Sequence, residues 1–394
     1  MTKKKRLLIL NGSHSEIPLI QAARKSGFHV ITSGNAPHLI GHQYADEYCP
    51  ADYSHKESVL QIAKNLKIDN ICSCANDFGA IISSYVAEKM GLPGHDPYDI
   101  TRLLHHKDSF KKFALKNNLP TPFSVSFVEQ SQALKAAETF MFPVIIKPVD
   151  LTGGKGVSRA NNYAEYHAGI KNAFALSRNK RVVVEDFFHG TQHSFSSFLV
   201  KQKVVFSFSD NEYSYKNPYY VSTSAAPAID IHKYETVLIG AVEKIAKQLN
   251  LTDGIFHIQY LANGKVAKII DITRRCSGDF YPYPVNYATK TDWASWIIRA
   301  ETGQDCLGFP TLTQTGYCGR HCVMSKRNGT IKDVIISDDV KPYIYNNIFW
   351  WKAGDIIDNY LAQKAGIVFL QFNTMGEMLE TIKRLPDLIQ IELE

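Results

Sequence analysis

Residues 144–157, VIIKPVDLTGGKGV, run from an apolar strand into Lys147 and then into a loop holding Gly153, Gly154, Lys155 and Gly156. Bare glycine backbone lets amide N–H groups approach an anion, and two bracketing lysines add charge, so the loop can cradle phosphate. A hairpin turn carrying solvated lysines accounts for the same residues equally well. The spacing is not that of a P-loop, which needs four residues between its glycines and a helix directly after the lysine.

A second stretch, HIQYLANGKVAKIIDITRR, covers residues 257–275 and reads as two strands joined at Asn263-Gly264, a turn pair that favours hairpins. Gln259 and Asp271 then meet across the hairpin, and Asp271, Thr273 and Arg275 alternate onto the same face. Hard oxygen ligands beside an arginine suit a magnesium triphosphate, the oxygens holding the metal and the guanidinium taking phosphate charge. A surface strand with an ordinary ion pair is the plainer alternative. In a third stretch, RVVVEDFFHGTQHS, Glu185 and Asp186 end an apolar run and Phe187 and Phe188 follow. Such a segment can close over an adenine, backbone groups reading its edge and rings packing its plane; a core strand with charges at its exit is equally economical.

The elements that must position these residues alternate strand and helix. Residues 6–34 read as strand, Gly-containing turn, amphipathic helix over about 17–26 and second strand, and residues 69–92 repeat the pattern, which implies a doubly wound parallel sheet with its crevice at the strands' carboxyl ends. The first loop lacks G-x-G-x-x-G, so a dinucleotide site has weak support. A charged helix then runs to Leu119-Pro120-Thr121-Pro122, where two prolines enforce extended backbone and suggest a boundary. Beyond the quoted stretches, the spacing predicts a helix over about 163–178, antiparallel strands with a hairpin near Lys201–Lys203, a Tyr-rich irregular loop, a helix over about 234–249, and a final module of short strands and one helix. The expected divisions are 1–110, 111–182, 183–310 and 311–394.

Composition fits this picture: 394 residues, 45% hydrophobic and 21% charged, with a net charge of +6 interspersed rather than blocked, which argues against nucleic acid. No apolar run approaches a membrane span, and the basic start, MTKKKRLLILNGSH, loses its apolar run after four residues, so a cytoplasmic protein is expected. Seven scattered cysteines read as buried thiols; the pair Cys72 and Cys74 and the group Cys318, His321 and Cys322 lack the matching second pair of a zinc site.

Taken in order, Lys107, Lys147, the glycine loop, Glu185 and the Gln259/Asp271/Thr273/Arg275 hairpin resemble the ATP-grasp superfamily, over most of the chain. The resemblance is to the carboxylate-amine ligase type: bacterial L-amino-acid ligases, the carbamoyl phosphate synthetase large subunit and biotin carboxylase. It implies an α/β, α+β multidomain fold, with the N-terminal doubly wound parallel sheet followed by an ATP-grasp fold of two α+β subdomains and a small C-terminal α+β module. It further implies that Lys107 and Lys147 contact nucleotide phosphates, that Gly153, Gly154, Lys155 and Gly156 form a mobile flap, and that Glu185, Asp186 and Phe187 hold adenine. Gln192 and His193 stand where a ribose-binding Glu is frequent. The metal positions, usually Glu and then Glu-x-Asn-x-Arg, here read Gln259, Asp271 and Thr273, with magnesium or manganese expected; Thr for Asn is the main departure.

By the same resemblance the run Arg275-Cys276-Ser277-Gly278-Asp279 extends the metal strand into an acceptor pocket. Arg274 or Arg275 can clamp a substrate carboxylate, and Asp279 can bind an ammonium or cap a helix. Ser277 and Gly278 would line that pocket, as would Ser222, Thr223 and Ser224. The implied chemistry is phosphorylation of a carboxylate by ATP, with Lys147 and Arg275 offsetting charge, then attack by an amine to give an amide or peptide bond, ADP and phosphate. The expected partners are small-molecule carboxylate and amine substrates, with no nucleic acid and no membrane, and a homodimer is common among relatives. The alternatives are a bicarbonate- or formate-activating carboxylase or purine-pathway enzyme, a non-catalytic nucleotide-binding protein, and a dehydrogenase on the N-terminal sheet.

Overall fold

The computed structural model describes residues 4–73, 75–151, 153–310 and 314–394; Cys74, Thr152 and the start of the expected last module lie outside the described residues. The N-terminal sheet is wholly parallel, in the order Glu47–Pro50, His29–Gly34, Arg6–Leu10, Asn70–Cys72. Leu7 to Leu10 are all buried, as a sheet covered by helices on both faces requires. Winding proceeds one way from Arg6–Leu10 and then reverses to Asn70–Cys72, which opens a crevice at the carboxyl ends of these two strands.

The charged helix expected before the two prolines is two helices, Tyr98–His105 and Lys107–Lys116, because His106 between them is extended at φ −94° and ψ 115°. The break puts Lys107 in the first turn of the second helix. The proline segment is stitched to the strand Ala267–Thr273: Thr121 Oγ1 donates to the Ile269 carbonyl at 2.9 Å, and Ile269 N donates to the Pro120 carbonyl at 2.6 Å.

A four-stranded antiparallel sheet follows, in the order Ser124–Phe127, Val182–Asp186, Val144–Pro148, Ser158–Ala160. Helix Tyr163–Leu176 seats Tyr166, Ile170 and Ala173 on Val144 and Ile146. Val182–Asp186 therefore stays with this sheet, and a division between 182 and 183 falls inside a strand. The glycine loop links Val144–Pro148 to Ser158–Ala160.

The largest sheet has eight strands, in the order Ala267–Thr273, Gly254–Ala262, Thr191–Val200, Lys203–Tyr213, Thr223–Ala226, Tyr317–Val323, Gly366–Phe372, Ile344–Phe349. It runs without a break from the hairpin of Gly254–Ala262 and Ala267–Thr273 into residues 317–372, so a division at 310 crosses a continuous sheet. One face buries Phe195, Leu199, Phe256, Ile258 and Tyr260 under helix Ile231–Leu249 and the helix that carries Lys107. The other face carries polar groups along its middle. A three-stranded sheet, Ile356–Ile357, Gly329–Ile336 and Ile389–Leu393, and helix Met375–Leu388 complete the C-terminal part. Among the described residues no helix is long and apolar enough to cross a membrane, and the six described cysteines are free thiols.

Candidate functional site

Register assembles the site on that polar face. Gln259 pairs with Asp271 on one side and with Ser194 on the other, Ser194 pairs with Asp210, and Ser224 pairs with Arg320 two strands further on. Strand period two adds Thr273, His257, Gln192, Ser196 and Glu212 to the same face. The residues span five neighbouring strands and the sixth, Tyr317–Val323, and no one segment of sequence holds them.

At the Asp271 end, cations and carboxylates pair. Lys107 Nζ lies 3.2 Å from Asp271 Oδ2 and donates to the Leu151 carbonyl at 3.2 Å, which ties the strand Ala267–Thr273 to the start of the glycine loop. Burial works against the Lys107 charge, but Asp271 and Asp77 outweigh it and hold its pKa above the usual lysine value. Lys147 Nζ donates to Glu185 Oε2 at 3.0 Å, and Lys111 Nζ lies 3.4 Å from the same oxygen. Burial pushes Lys111 down to about 8, while Glu185, whose burial alone would raise it, is held low by the two lysines. Arg275 Nε donates to Asp77 Oδ1 at 2.9 Å, and His105 Nδ1 lies 3.2 Å from that oxygen.

Glu212 organises the middle of the face. Its Oε2 accepts from Gln192 Nε2 at 2.7 Å and from Gln259 Nε2 at 2.8 Å. Because a carboxylate takes only donors, both amide nitrogens turn toward Glu212 and both amide oxygens turn away. Burial, with Asp210 beside it, lifts Glu212 to about 7. The Asp271 carboxylate, the Gln259 amide oxygen and Thr273 Oγ1 lie on one face and are oxygens of the kind that magnesium takes, and Thr273 Oγ1 is buried without a hydrogen-bond partner. Glu185 Oε1 and Ser277 Oγ are likewise buried without a hydrogen-bond partner.

The glycine loop lies closed on the Tyr-rich loop. Gly153, Gly154 and Gly156 have φ of +65°, +71° and +72°, which side chains rarely adopt, and a Cβ at Gly154 would meet the Tyr219 carbonyl oxygen at 2.1 Å. Lys155 points to solvent. Asp186 is exposed, and the Arg159 guanidinium covers the Phe187 ring at 4.2 Å. A cavity of about 620 Å³ opens beside the loop's first residues, with Leu151, Asp77 and His105 in its wall.

At the other end Asp279 is a meeting point. Its Oδ1 accepts from Lys364 Nζ and lies 3.2 Å from His14 Nε2, its Oδ2 lies 3.9 Å from Arg320 Nη1, and Ser15 Oγ accepts from its N–H at 2.9 Å. Burial would raise its pKa, but Lys364, with His14 and Arg320, holds it well below the carboxylate range. It does not cap the following helix, Pro282–Thr289, whose first turn has no side-chain cap.

Several candidate site residues have other surroundings than the sequence suggested. Arg274 clamps no ligand: Nε donates to Asp96 Oδ2 at 2.8 Å, Nη1 to the Ile255 carbonyl at 2.5 Å and Nη2 to the Thr252 carbonyl at 2.8 Å, so its fork is spent on the fold. His193 faces the opposite side of the sheet from Gln192, stacked on Tyr260 at 5.1 Å and bonded to Thr191 Oγ1 at 2.7 Å. Thr223 also points away, its Oγ1 2.6 Å from His321 Nδ1; Ser224 is the residue on the site face. Ser222 lines a narrow gap with Tyr220 and Cys322, and Gly278 lends its carbonyl to Arg320 Nη1 at 2.9 Å.

Sequence reasoning missed Lys111, Asp77, His105, Glu212, Arg320 and Lys364. Lys111 was legible, because it sits one helical turn after Lys107 and shares its face. Glu212 was legible as the fourth member of an alternating run, Phe206, Phe208, Asp210, Glu212. Arg320 and Lys364 are brought in by sheet pairing of distant strands and carry no local signal.

Residues 106–287 match the family model described as the ATP-binding domain of the carbamoyl-phosphate synthase L chain. The carbamoyl phosphate synthase large chain of Pseudothermotoga lettingae is 27% identical over 187 residues, covering 44% of this chain and 16% of that protein. The phosphoribosylamine-glycine ligase of Pyrococcus furiosus is 26% identical over 216 residues, covering 51% of this chain and 46% of that protein. The matched region thus spans less than half of either relative. In fold, the chain is similar over the full length of both chains to the L-amino acid ligase from Bacillus licheniformis, with a TM-score of 0.83 at 17% identity, and to phosphoribosylglycinamide synthetase from Anaerococcus prevotii, at 0.78 and 20%. Residues 106–287 thus match an ATP-grasp ATP-binding domain, and the fold of the whole chain is similar to that of solved ATP-grasp carboxylate-amine ligases.

Proposed function

We propose that this protein is an ATP-dependent carboxylate-amine ligase. The observation that carries the reading is the one sheet face with paired lysines and carboxylates at its Asp271 end and a buried cationic cluster at its Asp279 end. Asp271, Gln259 and Thr273 would hold magnesium, which when bound offsets phosphate charge. Lys107 and Lys147 then exchange carboxylate partners for phosphate oxygens, so each buried ammonium keeps a counter-charge throughout. Gln192, its amide oxygen turned outward by Glu212, would accept from the nucleotide sugar. Glu185, Asp186 and Phe187 would bound the base.

Arg320 and Arg275 would orient the acid so that a carboxylate oxygen attacks the γ-phosphorus, with ADP leaving. The closed glycine loop excludes water from the resulting acyl phosphate. An amine then attacks the carbonyl carbon, phosphate leaves, and the amine's proton passes to solvent or phosphate. The test is ADP release by carboxylate and amine pairs, with mass spectrometry of the product. Release that needs both substrates and yields their amide supports the reading; release driven by bicarbonate or formate alone overturns it.

A further inference from the structure

Beyond the paired charges at the Asp271 end lies the cavity of about 620 Å³, within the volume range of small-molecule pockets. It is walled by Asp77, Phe78 and Ile81 of the helix Asp77–Met90 and by Val149 and Leu151, which follow the strand Val144–Pro148. Helical spacing explains the grouping: Ile81 lies one turn after both Asp77 and Phe78, so one helix face carries a carboxylate and then an apolar strip. Arg275 Nε donates to Asp77 Oδ1 at 2.9 Å, and His105 Nδ1 lies 3.2 Å from the same oxygen. Because His105 Nε2 accepts the Arg274 N–H at 3.2 Å, Nδ1 carries the proton and donates to Asp77. Both partners take Oδ1, which leaves Oδ2 to accept from a ligand. The basic groups of the wall are already engaged. Lys56 Nζ lies over the Tyr85 and Tyr98 rings at 4.5 and 5.1 Å, Arg102 pairs with Asp99 at 3.4 Å, and His55 with Asp52 at 3.7 Å. Burial and the Arg181 guanidinium, 3.1 Å from its Nδ1, keep His106 neutral. The cavity therefore offers a hydrogen-bond acceptor at the Arg275 side and apolar surface beyond it.

We infer that this cavity seats the amine substrate, a primary amine with an apolar chain or ring, its nitrogen donating to Asp77 and its body lying along Phe78 and Ile81. This rests on the ligase reading above, which needs an amine beside the acid that Arg275 orients. The Asp77–Arg275 pair then stands between the two reactants, one on each partner. The nitrogen lone pair attacks the acyl carbonyl carbon, the bond from that carbon to the phosphate oxygen breaks with its electron pair on phosphate, and the nitrogen's surplus proton passes to the leaving phosphate. Each methylene of the amine buried along the apolar strip tightens binding about fourfold.

The test measures hydroxamate and amide formation with magnesium, ATP and an acid chosen from a panel of amino, hydroxy and keto acids for its hydroxamate yield. Hydroxylamine, too small to use the apolar strip, is the reference nucleophile. Phenethylamine and isoamylamine are expected to half-saturate the wild-type protein at least tenfold below ethanolamine. Ile81, half-buried, can be enlarged or trimmed. Ile81→Trp fills the cavity and should raise the half-saturating concentration of phenethylamine at least tenfold relative to that of hydroxylamine. Ile81→Ala, which only removes atoms and keeps the test open if the tryptophan variant does not fold, should shift preference from isoamylamine toward phenethylamine. No preference for the apolar amines in the wild type, or an unchanged order in both variants, overturns the assignment while hydroxamate formation leaves the ligase reading standing. Failure of every acid to give a hydroxamate overturns the ligase reading, and the amine pocket with it.

Discussion

The two ends of the polar face follow different charge rules. At the Asp271 end every cation has a carboxylate within reach: Lys107 with Asp271, Lys147 and Lys111 with Glu185, Arg275 with Asp77. At the Asp279 end one carboxylate faces both Lys364 and Arg320. Balanced pairs can trade partners with a ligand that carries both signs, as a metal triphosphate does, and leave no charge alone. The first arrangement suits a magnesium-bound nucleotide, whose charges of both signs can replace the pairs.

The adjacent arginines Arg274 and Arg275 divide along the same line between frame and site, and separating them is the largest effect expected. Arg274→Ala leaves Asp96, buried, without its partner and should lower unfolding free energy by about 3–5 kcal/mol in a denaturant titration. Lys147→Ala should instead keep the melting temperature, since Lys111 still faces Glu185, and should cut ATP-dependent ADP release about 10²–10³-fold. Full turnover in that variant would remove the Asp271 end from the chemistry. Gly154→Ala puts a methyl group against the Tyr219 carbonyl and should slow turnover about 10²-fold through misplaced closure, with nucleotide binding measured separately.

Smaller effects sharpen the contrast. Thr273→Asn offers an amide oxygen in place of a hydroxyl and should lower the magnesium concentration for half-maximal rate about three- to tenfold, with no change in acid preference. Away from both ends, His321 is pushed down to about 3 and His193 to about 4, each by burial. Both stay neutral in the fold while the unfolded chain gains protons below about 6.5, so stability falls as pH drops from there toward 4. The melting temperature should show that slope, and His321→Asn should make it shallower.

The sequence carried the Asp271 end well, because hairpin register and strand alternation are local: Gln259 does pair with Asp271, and Asp271 and Thr273 share a face. The parallel sheet and most helices were legible from period and turn residues for the same reason, and the ATP-grasp architecture from the family resemblance of the ordered motifs. Strand parity was also legible and went unused at two places. His193 and Thr223 each sit one residue out of phase with the site, and counting from Gln192 or Ser224 would have turned both away. The Asp279 end was not legible, since Arg320, Lys364 and His14 come from strands and turns that only the finished sheet brings together. Arg274 misled because an arginine beside a metal strand looks the same whether its fork grips a ligand or Asp96.

Tyr220 touches both halves of this design. Its ring stands 3.7 Å from where a Cβ on Gly153 would lie and 4.8 Å from Lys364 Nζ, so one aromatic plane is shared by the flap and the Asp279 end. The seat on which the flap closes is therefore set by what sits over Lys364. In the ligase proposed above, closing the flap on the tyrosines would enclose acid and nucleotide together and lifting it would free both products, so turnover should slow as solvent viscosity rises.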